Sequence, residues 1–315
     1  MTQATGIAIV VITYNSATEI APCLEAALAT GSEVVVVDNA STDATRDVSA
    51  RYPVRLIANP GNLGFAAAAN RGFRATACEY VLLLNPDAVL QTSIEPLRTF
   101  CMRPNAAAAA GMLTGEDGLA QTGFSVRRLP TPAAIAFEAL LLNRLWPRNP
   151  VNRHYRCMDF DYRSPSLVEQ PAGALLMIRR SAWEKLGGFD EAFYPVWFED
   201  VDFCRRLRNA GAEVWYSPEV VAQHSGGTSI QGVSPEMRQL YWYASLLRYS
   251  AKHFRPGTQR WVFVAVIIGC LSRMIGVLFV RGGFQESRAF GKVVRLAGRY
   301  LLSGSRTGFE DSSFV

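Results

Sequence analysis

"EVVVVDNAST", residues 33–42, decides the fold. The four valines Val34–Val37 leave no polar position on either face. Such a run reads as a strand buried on both sides, as in a parallel sheet covered by helices. It ends on an acidic residue, Asp38, and a short polar stretch. "IAIVVIT" (7–13) before it, and "VRLI" (54–57) and "YVLLL" (80–84) after it, repeat the pattern. Helical segments separate these runs at 17–29, 43–51 and 65–76, and Ser41 or Thr42 is expected to cap the second. This alternation predicts an α/β fold with a mostly parallel, doubly wound sheet, whose ligands bind at the carboxyl ends of the strands. Those ends carry Thr13–Asn15, Asp38, Asn59–Gly64 and Asn85–Asp87.

Residues 104–170 are punctuated by prolines and read as largely irregular, apart from a strand at "AAAAAGML" (106–113). Order returns with a strand at "GALLMI" (173–178) and a helix at "FEDVDFCRRLRNAG" (198–211), closed by Gly211. "AEVWYS" (212–217) and "VVAQH" (220–224) read as two further strands. The pattern is then helical from Pro235 to about His253. "WVFVAVIIGCLSRMIGVLFV" (261–280) follows, 20 residues interrupted only by Gly, Ser272 and Arg273. A helix of that length matches the hydrocarbon core of a bilayer. It is expected to lie at a membrane interface, to pack internally or against a second copy of the chain, or to span. Arg281, Arg288, Lys292, Arg295 and Arg299 come next and suit anionic headgroups.

The chain has 315 residues, 49% of them hydrophobic and 19% charged, which is globular. Its net charge of +5 is uneven. From Glu236 onward there are twelve Lys/Arg against four Asp/Glu, which leaves twenty against twenty-three in the rest. A slightly acidic body with a basic tail does not suit a nucleic-acid-binding core. The six cysteines form no CxxC pair, and Ile7–Ile12 is too short for a signal peptide, so a cytoplasmic protein with reduced thiols is expected. No GxGxxG follows the first strand, and no GxxxxGK[ST] or GxSxG occurs. A dinucleotide-binding Rossmann enzyme, a P-loop NTPase and an α/β-hydrolase are therefore disfavoured.

What remains is a set of carboxylates and amides at strand ends. Asp38 can accept from a base N–H or a ribose hydroxyl, or simply close an Asx turn within "DNAST". In "LLLNPDAVL" (82–90), Asp87 beside Asn85 is a hard ligand suited to Mg²⁺ or Mn²⁺ bridging a diphosphate, or else the cap of a following helix. Glu199, Asp200 and Asp202 crowd one helix start, where they complement its dipole. Behind the semi-apolar Trp197 and Phe198, a carboxylate there can also keep a raised pKa and serve as general base. His224 ends a strand before "SGGTS" (225–229) and reads as a metal or phosphate contact or as a structural histidine.

"VVITYNSATEIAPCLEAL", "VVVVDNASTDAT", "NPGNLGFAAAANRGF", "LLLNPDAVL", "GALLMIRRSAWEKLGGFDEAF", "FEDVDFCRRLRNAG" and "HSGGTS", in this order, resemble the inverting glycosyltransferases of family 2, which have the GT-A fold. The rhamnosyltransferase-like branch is the most similar, and the resemblance covers about residues 6–230. It implies that Thr13, Tyr14, Asn15 and Asp38 hold the nucleotide, and that Asn62, Gly64 and Arg71 fix the donor. Asn85-Pro86-Asp87 takes the place of the DxD motif, with Asp87 and His224 as metal ligands. Asp200 is implied as catalytic base, with Glu199, Gly173 and Trp197 on the acceptor side. Asn85 stands where the family has its first DxD acid, a departure that lowers the charge at the metal site.

The expected organisation is a GT-A domain over 1–230 and a helical C-terminal region over 231–315. The implied activity transfers a sugar, rhamnose first, from a nucleoside-diphosphate donor (dTDP-rhamnose, then UDP-sugars). The acceptor is a hydroxyl of a saccharide or of a polyprenyl-diphosphate-linked saccharide, in cell-surface polysaccharide synthesis. The protein is expected at the cytoplasmic face of the inner membrane, held there by its C-terminal region, and a homodimer is a further expectation. The competing readings are a sugar-1-phosphate nucleotidylyltransferase and a non-catalytic scaffold on the same fold. The first normally carries a Gly-rich basic loop after strand one, where this chain has "TYNSATE".

Overall fold

A computed structural model describes residues 6–226, 232–278 and 284–303. The Gly227–Ser229 end of "SGGTS", the last two residues of the apolar run and Arg281 lie outside the described residues. The chain divides into two compact units. The first contains residues up to Leu129, Arg156–Pro195 and Glu199–Gly232; the second contains Pro130–Tyr155, Val196–Phe198 and the chain from Val233. A single boundary at 230 therefore leaves two earlier segments on the other side.

The first unit is built on one sheet. Its strands are β1 (Ile7–Thr13), β2 (Glu33–Asp38), β3 (Arg55–Ala58), β4 (Tyr80–Leu84), β5 (Ala88–Leu90) and β6 (Ala106–Thr114). A short strand β7 (Val126–Arg127) follows, then β8 (Ser166–Leu167), β9 (Gln170–Pro171), β10 (Leu175–Arg179) and β11 (Glu213–His224). The order is β3-β2-β1-β4-β10-β6-β11-β5, with β8 on β11 and a separate β7–β9 pair. The expected parallel core is present in β1–β4, and every residue of β1 and β4 is buried. The other half is mixed. β10 runs antiparallel to both β4 and β6, and β5 runs antiparallel to β11. The two strands expected at 212–224 are one strand, whose register on β6 shifts between Tyr216 and Val221.

Helices Ile20–Ala29 and Phe65–Ala75 cover opposite faces of the sheet, each through its apolar side. Helix 17–29 loses its first turn, because Ser16–Glu19 forms a turn in which Ser16 O accepts from Ile20 N–H. The expected Ser41 or Thr42 cap does not form. Ala44 occupies the cap position, and Asp43 Oδ1 accepts from Thr45 N–H at 3.0 Å. Ser41 is occupied elsewhere, accepting from Asn15 N–H.

In the second unit, helix Pro235–His253 has the expected bounds, and its Ser234 cap accepts from Met237 N–H at 3.3 Å. Helix Pro256–Leu278 follows, and over Pro256–Gly276 it is long and apolar enough to cross a membrane. Helix Phe284–Ser303 packs along it. Arg273 is not a bare charge on the apolar helix. Its guanidinium donates to the carbonyls of Gly269, Glu138 and Ala139.

Candidate functional site

The sheet gathers the expected polar residues at its carboxyl edge. At the β1 and β2 ends, Thr13 Oγ1 donates to Asp38 Oδ1 at 3.2 Å, and Ser41 N–H donates to Asp38 Oδ2 at 3.0 Å. Asp38 is fully buried, and its bond from Ser41 N–H closes the turn expected within "DNAST". Asn15 has a left-handed backbone (φ 52°), and its Oδ1 accepts from Thr42 N–H at 2.8 Å. Tyr14 sits half-buried between Thr13 and Asn15. Asn62 Oδ1 accepts from Asn39 Nδ2 and from Gly64 N–H, while Arg71 donates to Asn59. Asn39 and Asn59 thus tie the 59–64 loop to the end of β2, a connection that requires knowing which strands are neighbours. Gly64 has φ +83°, and a Cβ there would meet the Tyr194 ring at 2.9 Å.

The turn after β4 forms a second group. Asp87 is not a helix cap, because β5 follows it directly and pairs Ala88 with His224. That register brings His224 Nε2 to 3.4 Å from Asp87 Oδ1, with Asn85 Nδ2 at 3.5 Å. The side-chain amide of Gln121 fixes the histidine: its Nε2 donates to His224 O at 2.7 Å while its Oε1 faces His224 Nδ1 at 3.0 Å. With Gln121 Nε2 on the His224 carbonyl, its Oε1 is the partner of Nδ1, and His224 Nε2 is the nitrogen directed at the Asp87 carboxylate. The ring nitrogen and the carboxylate oxygen offer one nitrogen and one oxygen ligand to a divalent cation. No group of three or more His, Cys, Asp or Glu side chains with metal-ligand spacing occurs among the described residues. Asp87 and His224 supply two ligands, so a cation bound to them takes its others from phosphate and water. Phe124 stacks on His224 with ring centroids 5.2 Å apart.

Asp200 forms the third group and adjoins the second. Its Oδ2 accepts from Gly173 N–H at 3.1 Å and lies 3.4 Å from Gln170 Nε2. The next residue, Ala174, accepts from Asn85 N–H at 3.0 Å, so β10 holds the base candidate beside the Asp87 turn. Gly173 therefore supports Asp200 directly: a Cβ there would stand 3.3 Å from the Asp200 Cβ. Burial raises the Asp200 carboxyl above the usual carboxylate range, against the pull of hydrogen bonds from Gly173 and Val201 and of the Arg127 guanidinium. Glu199 is raised well above that range by burial and by the neighbouring Asp200 charge, and its buried Oε2 has no hydrogen-bond partner. Asp202 is paired with Arg206 at 2.7 Å and serves the helix. Trp197 (φ 77°) belongs to the second unit.

Gln121, Phe124, Arg127 and Gln170 escaped the sequence reading. They lie in the irregular 104–170 stretch, where no periodicity marks them, and only the β7–β9 and β5–β11 pairings bring them to the site.

A mixed sheet of this order, carrying an acidic turn after β4 and a carboxylate at a helix start beside it, is the GT-A architecture. The chain belongs to glycosyltransferase family 2. The family model described as "Glycosyl transferase family 2" matches residues 8–158, and that for the "N-terminal domain of galactosyltransferase" matches 153–224. N-acetylglucosaminyl-diphospho-decaprenol L-rhamnosyltransferase of Mycobacterium tuberculosis is 32% identical over 238 residues, spanning 69% of this chain and 75% of that protein. O-antigen chain rhamnosyltransferase WbaN of Salmonella anatum is 24% identical, over 62% of this chain and 56% of that protein. Among solved structures, mannosyltransferase PcManGT from Pyrobaculum calidifontis, in complex with GDP-Man and Mn²⁺, superposes with a TM-score of 0.53 at 16% identity. The superposition covers 96% of this chain and 88% of that one, and it supports the shared fold. The chain is thus a rhamnosyltransferase-like glycosyltransferase of polysaccharide synthesis.

Proposed function

We propose that this chain transfers L-rhamnose from dTDP-rhamnose to a hydroxyl of a polyprenyl-diphosphate-linked saccharide, in one inverting displacement. The observation that carries the reading is the β4–β10 register, which sets Asp200 beside the Asn85-Pro86-Asp87 turn. Rhamnose and the lipid-linked acceptor follow the mycobacterial relative, an N-acetylglucosaminyl-diphospho-decaprenol L-rhamnosyltransferase.

In this reading Asp200 takes the proton of the acceptor hydroxyl as its oxygen attacks the anomeric carbon. The bond from that carbon to the diphosphate breaks on the opposite face, and its electron pair leaves with the nucleoside diphosphate. A raised pKa makes the Asp200 carboxylate a stronger base than an exposed one. Gly173 and Gln170 aim it. Asp87 and His224 would hold Mg²⁺ or Mn²⁺, which when bound neutralises charge on the departing diphosphate. Thr13, Tyr14, Asn15 and Asp38, with Asn62, Gly64 and Arg71, form the nucleotide end. Glu199 belongs to the acceptor side.

The second unit supplies membrane contact in this reading. Trp261, Ile268, Leu271 and Ile275 are exposed at a heptad spacing on helix Pro256–Leu278, while Val262, Phe263, Val266 and Cys270 are buried on its other side. A helix that is apolar all round needs a cover on every face. Exposed Arg288, Arg295 and Arg299 on the next helix favour an anionic lipid surface at the cytoplasmic face.

The test is a panel of nucleotide sugars with Mg²⁺ or Mn²⁺, followed by NMR of the product. Transfer from dTDP-rhamnose with inversion is expected, and its loss in excess chelator supports the cation. Hydrolysis of none of the donors would favour the scaffold reading. Release of diphosphate from a nucleoside triphosphate and a sugar 1-phosphate would favour the nucleotidylyltransferase.

A further inference from the structure

We infer that Arg127 binds the diphosphate of the nucleotide donor, bridging the cation end of the site to the base end. The inference rests on the transferase reading above. The sequence "SVRRLP" (125–130) carries two adjacent arginines that the structure uses differently. Arg128 lies 3.5 Å from the Glu169 carboxylate, which also holds Arg208 at 2.9 Å. Arg127 makes no ion pair within 4.0 Å among the described residues. Its Nε donates to Gly123 O at 2.6 Å, and no other hydrogen bond of its guanidinium is made there. One of five donors is thus used to aim the group, and the terminal fork is left for a ligand.

The location of Arg127 selects the ligand. Its guanidinium lies 5.6 Å from the centroid of Phe124, and the Phe124 ring stacks on His224 at an interplanar angle of 10°. His224, Phe124 and Arg127 therefore form a row that begins at Asp87. On the other side, Arg127 pairs with Gln170 across β7–β9, and Gln170 Nε2 reaches Asp200 Oδ2. Residues directly opposite in an antiparallel pair place their side chains on one face. A donor whose diphosphate meets the cation site and whose anomeric carbon comes within reach of Asp200 crosses this interval. A planar fork with no ion pair within 4.0 Å among the described residues, half-buried beside the Phe124 ring, is suited to two phosphate oxygens at once. The same guanidinium pulls the Asp200 carboxyl down against the effect of burial.

The experiment measures calorimetric dissociation constants of dTDP, UDP and thymidine for the full chain and for Arg127→Gln, Arg127→Lys and Arg128→Gln, with Mn²⁺ present. Arg127→Gln is expected to weaken the better diphosphate about tenfold or more while leaving thymidine unchanged. Arg127→Lys should fall between, since a point charge replaces a fork. Arg128→Gln, whose native partner is Glu169, should bind like the parent. Equal diphosphate affinity in the parent and in a folded Arg127→Gln or Arg127→Lys variant would overturn the assignment while leaving the transferase reading intact. Failure of the parent to bind either diphosphate would overturn both.

Discussion

The main-chain N–H of Gly173 donates to Asp200 Oδ2 at 3.1 Å, and a Cβ at 173 would stand 3.3 Å from the Asp200 Cβ. The glycine therefore sets how closely the base candidate can approach the end of β10. Gly173→Ala pushes Asp200 away by a few tenths of an ångström. The expected result is a fall in kcat of about tenfold to a hundredfold, with donor affinity unchanged, because misplacement of a reacting group is costly and nucleotide contacts lie elsewhere. Steady-state kinetics beside nucleotide titration would show it. A kcat equal to the parent's would separate Asp200 placement from this hydrogen bond.

Removing the base itself should be more severe. Asp200→Asn keeps the volume and cannot take a proton. Transfer is expected to fall about 10²–10⁴-fold while the donor still binds. At saturation near 100 Kd the donor should still raise stability by about 2.7 kcal/mol in a thermal-shift measurement. Near-parental turnover would remove Asp200 from the base role. Because the native carboxyl lies above the usual carboxylate range, the acid limb of the parent's rate profile should lie above that range too.

These residues differ in how much the sequence alone disclosed. Val34–Val37, Leu82–Leu84 and the acids closing them were legible because burial on both faces writes a continuous apolar run. Asp87 and Asp200 followed from carboxylates at strand and helix ends. The antiparallel insertion of β10 was not legible, since a buried strand looks the same in either direction. Asp87 could not be told from a helix cap until Ala88 was seen to pair with His224. Gln121 and Arg127 carry no periodic signal at all; their meaning comes from partners 103 residues away in one case and from strand pairing in the other.

Gln121 is expected to matter through His224. Its amide both donates to the histidine carbonyl and stands 3.0 Å from Nδ1, so Gln121→Leu frees the ring to rotate. Loss of such an outer partner typically lowers metal affinity 10–100-fold. Titration of Mn²⁺ followed by electron paramagnetic resonance, with dTDP present, measures it. Unchanged affinity would show that His224 needs no such support.

Glu199 makes a pH prediction with the opposite sign from an ordinary acid. Its carboxyl is raised well above the usual range by burial and by Asp200. The native state therefore keeps a proton that the unfolded chain has already released, and stability declines as pH rises from about 4.3 through the native value. Glu199→Gln removes that slope. Denaturant melts should show little difference between variant and parent at the acid end. Near pH 8 the variant should gain on the order of 1 kcal/mol, since no buried charge is left unpaired. A parent more stable than the variant at pH 8 would contradict the reading.

The apolar stripe on helix Pro256–Leu278 yields the last prediction. Trp261 is 77% exposed and Ile268 52% exposed, one heptad apart on the same side. Each such side chain contributes about 1.5–3 kcal/mol when fully buried in an apolar phase. Replacing both with serine should weaken binding to vesicles rich in anionic lipid about a hundredfold or more, by co-sedimentation. The packed face, with Phe263 against Tyr300 at 5.5 Å, is untouched, so the melting temperature should hold. Salt should weaken the parent's binding as well, because Arg288, Arg295 and Arg299 are exposed and screened. If the parent ignores vesicles but sediments as a dimer that the double variant splits, the stripe joins two copies of the chain and the membrane reading fails.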